Sequence, residues 1–420
     1  MRYLEETGQL TPDWRMKLEA ALNQGWQRLL TFEVSGGGFD WYGKAPANTL
    51  LTAYGLMELH DINKVFPIDA AVMARAKALL AARQKSDGRW SLDRGAHSWR
   101  QVAGDLPVTA YVTWAILEAG ASEPRGVAWL ESHYAEATDP YALALVANAL
   151  LLAKSPVAAR AVADLEKAIA NADTETLALA ALALIRGGRP ADEAMARVIR
   201  AKDPQGGWHS TSATILAIKA LLEGGRAVRS GKGQPIAVRV NGQPVRLDPL
   251  DEVLQQVNVT GFVREGDNEV EVECDARISV QAAARCWIPW ALVKAEPDSP
   301  LQITTRYDKE RLKRGETLRC EATIRYTGEG AFMVIADLGI PPGFTVDASA
   351  FKDRRIDKVS VGARHVTLYF GAVTKGDIVV TYDLRPKWPI VAKTPRAHAY
   401  EYYRPDREGS APPASIAVEE

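Results

Sequence analysis

The first half of the chain alternates between two kinds of helical segment. Residues 48–60, 107–119, 139–153, 174–187 and 210–223 are rich in Ala and Leu and apolar nearly all round, the pattern of helices covered on every side. Residues 12–30, 68–84, 124–136, 157–171 and 190–200 carry Arg, Lys and Glu along one face, the pattern of helices half in water. Thr11-Pro12, Asp139-Pro140 and Ser155-Pro156 each set a capping side chain before a proline, whose missing N–H costs nothing in the first turn. Such alternation, repeated every few dozen residues, predicts stacked helical hairpins. The repeat shows in letters as well: Leu51-Thr52-Ala53-Tyr54 returns as Val108-Thr109-Ala110-Tyr111. Gly37-Gly38-Phe39, Asp87-Gly88-Arg89-Trp90 and Gly206-Gly207-Trp208 stand before buried helices, where glycine permits a tight turn and the aromatic plugs the end of the bundle.

Neither end of the hairpin array carries a polar capping repeat, so closure into an α/α toroid is expected rather than an open solenoid. Five inner helices are complete. Residues Arg2 to Thr7 stand where a sixth should end, so the toroid is expected to be incomplete at its N-terminus. After Gly225 the period falls toward two. The run Ile236 to Val240 leads into Asn241-Gly242, a strong hairpin signal, and Gly266-Asp267-Asn268 precedes the alternating Glu269 to Glu273. Leu318 to Tyr326, Phe332 to Asp337, His365 to Phe370 and Ile378 to Leu384 alternate at the spacing of a β-sandwich. The expectation is a multidomain chain, α then β. It comprises a toroid over residues 1–225, a small β unit over 226–297, a β-sandwich over 298–407 and a disordered tail over 408–420.

Composition narrows the function. Of 420 residues, 51 are Lys or Arg and 52 Asp or Glu, a net charge of −1, which argues against a dedicated nucleic-acid binder. No apolar run is long enough to span a membrane. The segment MRYLEETGQLTP has no apolar core, hence no secretory signal, which taken alone points to the cytoplasm. The three cysteines, Cys274, Cys286 and Cys320, form neither a disulfide scaffold nor a CxxC pair.

A toroid often holds an enzyme, and one acting on glycans or isoprenoids with β accessory domains is one alternative. A scaffold whose ring binds a protein partner is another. The helical region has no aspartate-rich run and no cysteine, and the six histidines show no HExxH spacing, so neither a metal nor a cofactor is expected. GxSxG and P-loop motifs are missing too. Among the histidines, His97 stands out in the long polar connection Asp87 to Asp105, the kind of loop that carries function. Its bland reading is an exposed or capping side chain. His209 beside Trp208 reads as loop packing, and His60 ends an inner helix, where an imidazolium favours the dipole.

The segments YLEETGQLTP, QRLLTFE, GGGFDWYGKAPANTLLTAYGL and ARQKSDGRW, in this order, resemble the thioester domain of the alpha-2-macroglobulin and complement family. Leu254-Gln255-Gln256-Val257 resembles part of that family's CUB domain. Pro341-Pro342-Gly343-Phe344 and Ala399-Tyr400-Glu401-Tyr402-Tyr403 resemble its receptor-binding macroglobulin domain. The resemblance covers essentially the whole chain. It implies the C-terminal portion of a protease trap, extracellular, periplasmic or on the cell surface, whose partners are target proteases or cell-surface nucleophiles and which is not an enzyme. The family's reactive group joins a cysteine to a glutamine in a Cys-Gly-Glu-Gln-type motif at the start of the first inner helix. That acyl carbon is activated yet survives while water is excluded. Here Cys274 is followed by Asp-Ala-Arg, Cys286 by Trp-Ile-Pro and Cys320 by Glu-Ala-Thr, so no thioester is expected in this chain, and the motif is expected upstream of Met1. Bait region and N-terminal macroglobulin domains are not expected in it either. The same resemblance makes His97 the acyl-transfer histidine of complement-like members, idle here for lack of a thioester. Asn258-Val259-Thr260 is a glycosylation sequon that matters only in a eukaryotic secretory pathway.

Overall fold

A computed structural model describes the chain apart from residues 7, 9, 94–101, 103, 204–206, 209, 228–235, 248–256, 276–277, 279, 285, 287, 294–298 and 403. His97, His209, Gly206, Leu254 to Gln256, Tyr403 and the expected edge at 297–298 fall outside the described residues. The chain divides into two compact units, Met1–Ala283 and Ala284–Glu420.

In the first unit the five inner helices are α3 (Thr49–Asn63), α5 (Asp105–Glu118), α7 (Pro140–Leu152), α9 (Thr174–Arg186) and α11 (Thr211–Ala227). Between them run α4 (Ala70–Arg83), α6 (Pro124–His133), α8 (Ala158–Ala168) and α10 (Asp192–Arg200). Every residue from Tyr141 to Leu150 is buried in α7 and every one from Pro107 to Ile116 in α5, as all-round apolarity requires. Each leucine so buried, Leu145 for instance, contributes about 2 kcal/mol of transfer free energy. The outer helices bury a stripe only: Val72, Ala76 and Leu80 of α4, spaced by four, face inward. Consecutive inner helices pack side by side. Lys219 of α11 reaches Asp61 of α3 at 2.8 Å and joins the last to the first, so the array is a ring.

The remaining pair is unequal. Helix α1 (Arg2–Glu6) has five residues against nineteen in α2 (Pro12–Leu30), and α2 buries none of them. Trp14 and Met16 lie 46% and 65% exposed, because an outer helix packs on its inner partner and this partner is a turn and a half long.

A small antiparallel sheet, ordered β2-β1-β3, follows, with β1 (Ile236–Val240), β2 (Gln243–Val245) and β3 (Val270–Cys274). Asn241 and Gly242 take positive φ at 52° and 76°, the backbone a two-residue hairpin turn demands.

The second unit is all β. Its large sheet is built on β6 (Leu318–Gly339) and β9 (His365–Pro386), 22 residues each and paired along most of their length. β4 (Leu301–Tyr307) and β11 (Ala397–Glu401) pair with β6, while β7 (Phe344–Val346) and β8 (Lys358–Val361) pair with β9. Each long strand contains two of the shorter runs read from sequence. The glycines at 328 and 330 mark a shift of register between Tyr326 and Gly330 rather than a turn, a bulge that bends the strand without ending it.

The tail corrects the expectation of disorder. β12 (Arg404–Ala411) pairs with β11, and β13 (Ser415–Glu419) inserts between β10 (Ile390–Lys393) and β5 (Arg311–Lys313). Ile416 and Val418 are buried in the core. Two apolar residues in period two suffice to order five residues once both edges are paired, a signal masked by the surrounding Ser, Ala and Pro.

Candidate functional site

The first turns of the inner helices meet at one mouth of the ring: Glu175 of α9 accepts from the hydroxyl of Tyr141 on α7 at 3.3 Å and from that of Ser212 on α11 at 2.9 Å. Four of these helices end in a side-chain cap. Asn48 accepts from the Leu51 N–H, Asp139 from Ala142, Asp173 from Thr176 and Ser210 from Ala213, at 2.9 to 3.1 Å, which satisfies orphan donors and complements the positive helix ends. Gly104, before α5, makes no side-chain cap.

Two groups hold the connection that contains His97. Asp93 accepts from the Thr49 N–H at 2.6 Å and the Thr49 hydroxyl at 2.9 Å, and Arg83 donates to it at 2.9 Å. At the other end Arg89 pairs with Asp105, the first residue of α5, at 3.0 Å. The ends of that connection therefore sit at the starts of α3 and α5. His97 itself is outside the described residues.

The aromatic plugs have a specific job. The backbone N–H groups of Phe39, Trp90 and Trp208 donate to Oγ1 of Thr52, Thr109 and Thr214, each at 3.0 Å. The indoles of Trp90 and Trp208 donate in turn to Leu80 and Val198 carbonyls on the preceding outer helix, at 2.8 and 2.6 Å. The Trp90 and Trp208 loops thereby each clamp an inner helix to an outer one, and the buried N–H of each aromatic residue is paired.

From this mouth a partly open cavity of about 350 Å³, its open space included, runs into the ring. Tyr54, Tyr111, Trp114 and Tyr141 line it with Met57, Ile215 and Leu216, and the polar groups are Glu58, Glu175, Ser212 and Lys219. Burial pushes the Glu58 carboxyl above its ordinary range, with Lys219 pulling the other way. Burial also tends to lower Lys219, but the charge and hydrogen bond of Asp61 outweigh it and raise the ammonium. Sequence reasoning missed this cavity. Its signal lay in the repeated tetrapeptide, whose threonines, Thr52 and Thr109, take the clamp bonds and whose tyrosines, Tyr54 and Tyr111, line the cavity.

His60 lies in the last turn of α3, where burial, then Lys64, lowers it from its ordinary value and so works against the imidazolium that the helix dipole favours. None of the cysteines belongs to a helix of the ring. Cys274 closes β3, Cys286 is exposed, and Cys320 is buried in the β-sandwich, directly across from Tyr307 and Tyr382 on the flanking strands, where burial pushes the thiol up to about 11. Among the described residues no three His, Cys, Asp or Glu side chains are placed to hold a metal ion, and no helix is long and apolar enough to cross a membrane.

Residues 1–176 match the family model of the A-macroglobulin TED domain, and residues 329–412 that of the A-macroglobulin receptor binding domain. Ovostatin from Gallus gallus is 23% identical over 465 residues, covering 96% of this chain and 31% of ovostatin, so the chain spans about a third of that relative's length. Among solved structures, Escherichia coli alpha-2-macroglobulin from domain MG7 to the C-terminus aligns with a TM-score of 0.69 at 14% identity, covering 99% of this chain and 70% of that one. Salmonella alpha-2-macroglobulin reacted with methylamine aligns with a TM-score of 0.69 at 15% identity, covering 99% and 28%. At these identities the alignments establish a shared fold. The two domain matches lie in the order of the helical ring and the β-sandwich, and the chain belongs to the alpha-2-macroglobulin and complement-like family, to whose C-terminal region it corresponds.

Proposed function

We propose that this chain is the target-facing ring and receptor-binding part of an alpha-2-macroglobulin-like protease trap, and that alone it neither traps a protease nor acylates a target. The observation that carries this reading is the order of the two domain matches, TED then receptor-binding. Two features support the inactivity of the chain by itself. No cysteine has the sequence context of the thioester motif, and none belongs to an inner helix.

In this reading the domain edges lie near 226 and 298, residues 226–297 are a CUB-like unit, and His97 is the acyl-transfer residue, reaching the thioester from a connection held by Asp93 and Asp105. The protein acts outside the cytoplasm, in an extracellular or periplasmic space, and its partners are target proteases or surface nucleophiles. The test is protease challenge. A protease mixed with this chain keeps its full activity toward large substrates, and a version extended through an upstream thioester and bait region suppresses it. Suppression by the 420-residue chain alone, or turnover of a glycan or prenyl substrate by it, overturns the reading.

A further inference from the structure

We propose that the cavity inside the ring is a binding site for a small alkylammonium cation, held among Tyr54, Tyr111, Trp114 and Tyr141 and matched in charge by Glu58. The proposal is independent of the protease-trap reading.

Charge comes first. Four carboxyl groups stand in or beside the cavity: Glu58, Asp61, Glu118 and Glu175. Two already have cations. Asp61 takes Lys219 at 2.8 Å and Lys64 at 2.9 Å, and Glu118 takes Arg186 at 2.5 Å as well as the Trp114 indole at 3.0 Å. Glu175 is held by the neutral hydroxyls of Tyr141 and Ser212. Glu58 receives no hydrogen bond among the described residues, and the nearby Lys219 is hydrogen-bonded to Asp61 instead. A buried carboxyl that receives no hydrogen bond is costly, and this one is placed in a cavity wall rather than in the packed core.

The rest of the lining selects the ligand. Four aromatic side chains present π surface, which attracts a cation most strongly when water is excluded. Tyr111 and Trp114 stand edge to face at 5.8 Å, a fixed corner rather than a mobile wall. Met57, Ile215 and Leu216 supply apolar surface for alkyl groups. Together they favour an organic cation over a metal ion, which needs several oxygen or nitrogen ligands, and over an anion, which the two carboxyl groups repel. Glu175 and Lys219 tie neighbouring helices together, whereas Glu58 makes no such tie among the described residues.

The test is calorimetric titration of the 420-residue chain with tetramethylammonium chloride. Sodium chloride is the ionic-strength control and tert-butanol the neutral counterpart of similar shape. Saturable binding of tetramethylammonium is expected, in the millimolar range proper to so few heavy atoms, with none for tert-butanol. Glu58→Gln, which keeps the shape and removes the charge, should weaken binding at least about tenfold. Lys219→Met, which removes the nearest resident cation, should tighten it, and this arm decides the matter if the Glu58 variant fails to fold. Failure of tetramethylammonium to bind, equal binding of tert-butanol, unchanged affinity in folded Glu58→Gln, or weaker binding in Lys219→Met each overturns the proposal.

Discussion

Thr109 Oγ1 accepts the Trp90 backbone N–H at 3.0 Å and donates back to the Trp90 carbonyl at 3.1 Å, so one hydroxyl satisfies both backbone polar groups of a fully buried residue. Thr109→Val keeps the volume and strands both groups, at a cost of about 1–3 kcal/mol. Thr109→Ser keeps the hydroxyl and should lose much less. Urea unfolding of the two variants, followed through the helical signal, checks this; equal midpoints for Val and wild type would show that the clamp contributes nothing.

The pH dependence of stability carries the imprint of Glu58. Its folded-state value is raised above the ordinary 4.5 by burial, opposed by Lys219 and assisted by Asp61. The folded chain therefore holds this proton more tightly than the unfolded chain, and stability falls as pH climbs from the unfolded value through the raised one. Burial tends to raise Asp61, but its contacts with Lys219 and Lys64 together outweigh it and shift it downward, so its contribution is present above the unfolded value and is lost on acidification. Glu58→Gln should match wild type near pH 4 (~4 lies below both values for Glu58) and become progressively more stable than wild type as pH rises to neutrality. Thermal unfolding of both proteins across that range reads the difference, and a constant offset would show that Glu58 is not held back from ionising.

Thiol chemistry separates the cysteines. Cys286 is exposed, whereas Cys320 is buried with its thiol pushed up to about 11. Because the thiolate is the reacting species, brief iodoacetamide treatment of the folded chain at mildly alkaline pH should label Cys286 and leave Cys320 until the β-sandwich unfolds. Peptide mass mapping before and after denaturant gives the answer, and early labelling of Cys320 would contradict the packing described for β6.

For His97 the expectation concerns a thioester-bearing, upstream-extended form. If His97 holds the acyl-transfer role proposed above, His97→Ala should shift covalent capture from hydroxyl toward amine nucleophiles, since the imidazole would then redirect the acyl group. Parallel labelling with glycerol and with a primary amine measures the ratio. An unchanged ratio removes the role assigned to His97.

The ten full-length helices were legible because each inner one is apolar on every side and each outer one on a single stripe, a contrast that periodicity captures directly. The hairpin at Asn241-Gly242 was legible for a similarly local reason. The cavity was not, since Tyr54, Tyr111 and Tyr141 read as further core residues and only the ring brings them together with Glu58 and Lys219. Likewise β13 depends on Ile416 and Val418 finding two strands that lie 25 and more than 100 residues earlier in the chain, a long-range pairing that no local pattern encodes.

The most direct test of the account is covalent uptake of methylamine, read as intact mass. The 420-residue chain should show no mass gain at all, and a form extended upstream through a Cys-Gly-Glu-Gln-like motif should take up a single methylamine and release one thiol. Covalent incorporation by the 420-residue chain itself would contradict the claim that its three cysteines stand outside the reactive chemistry.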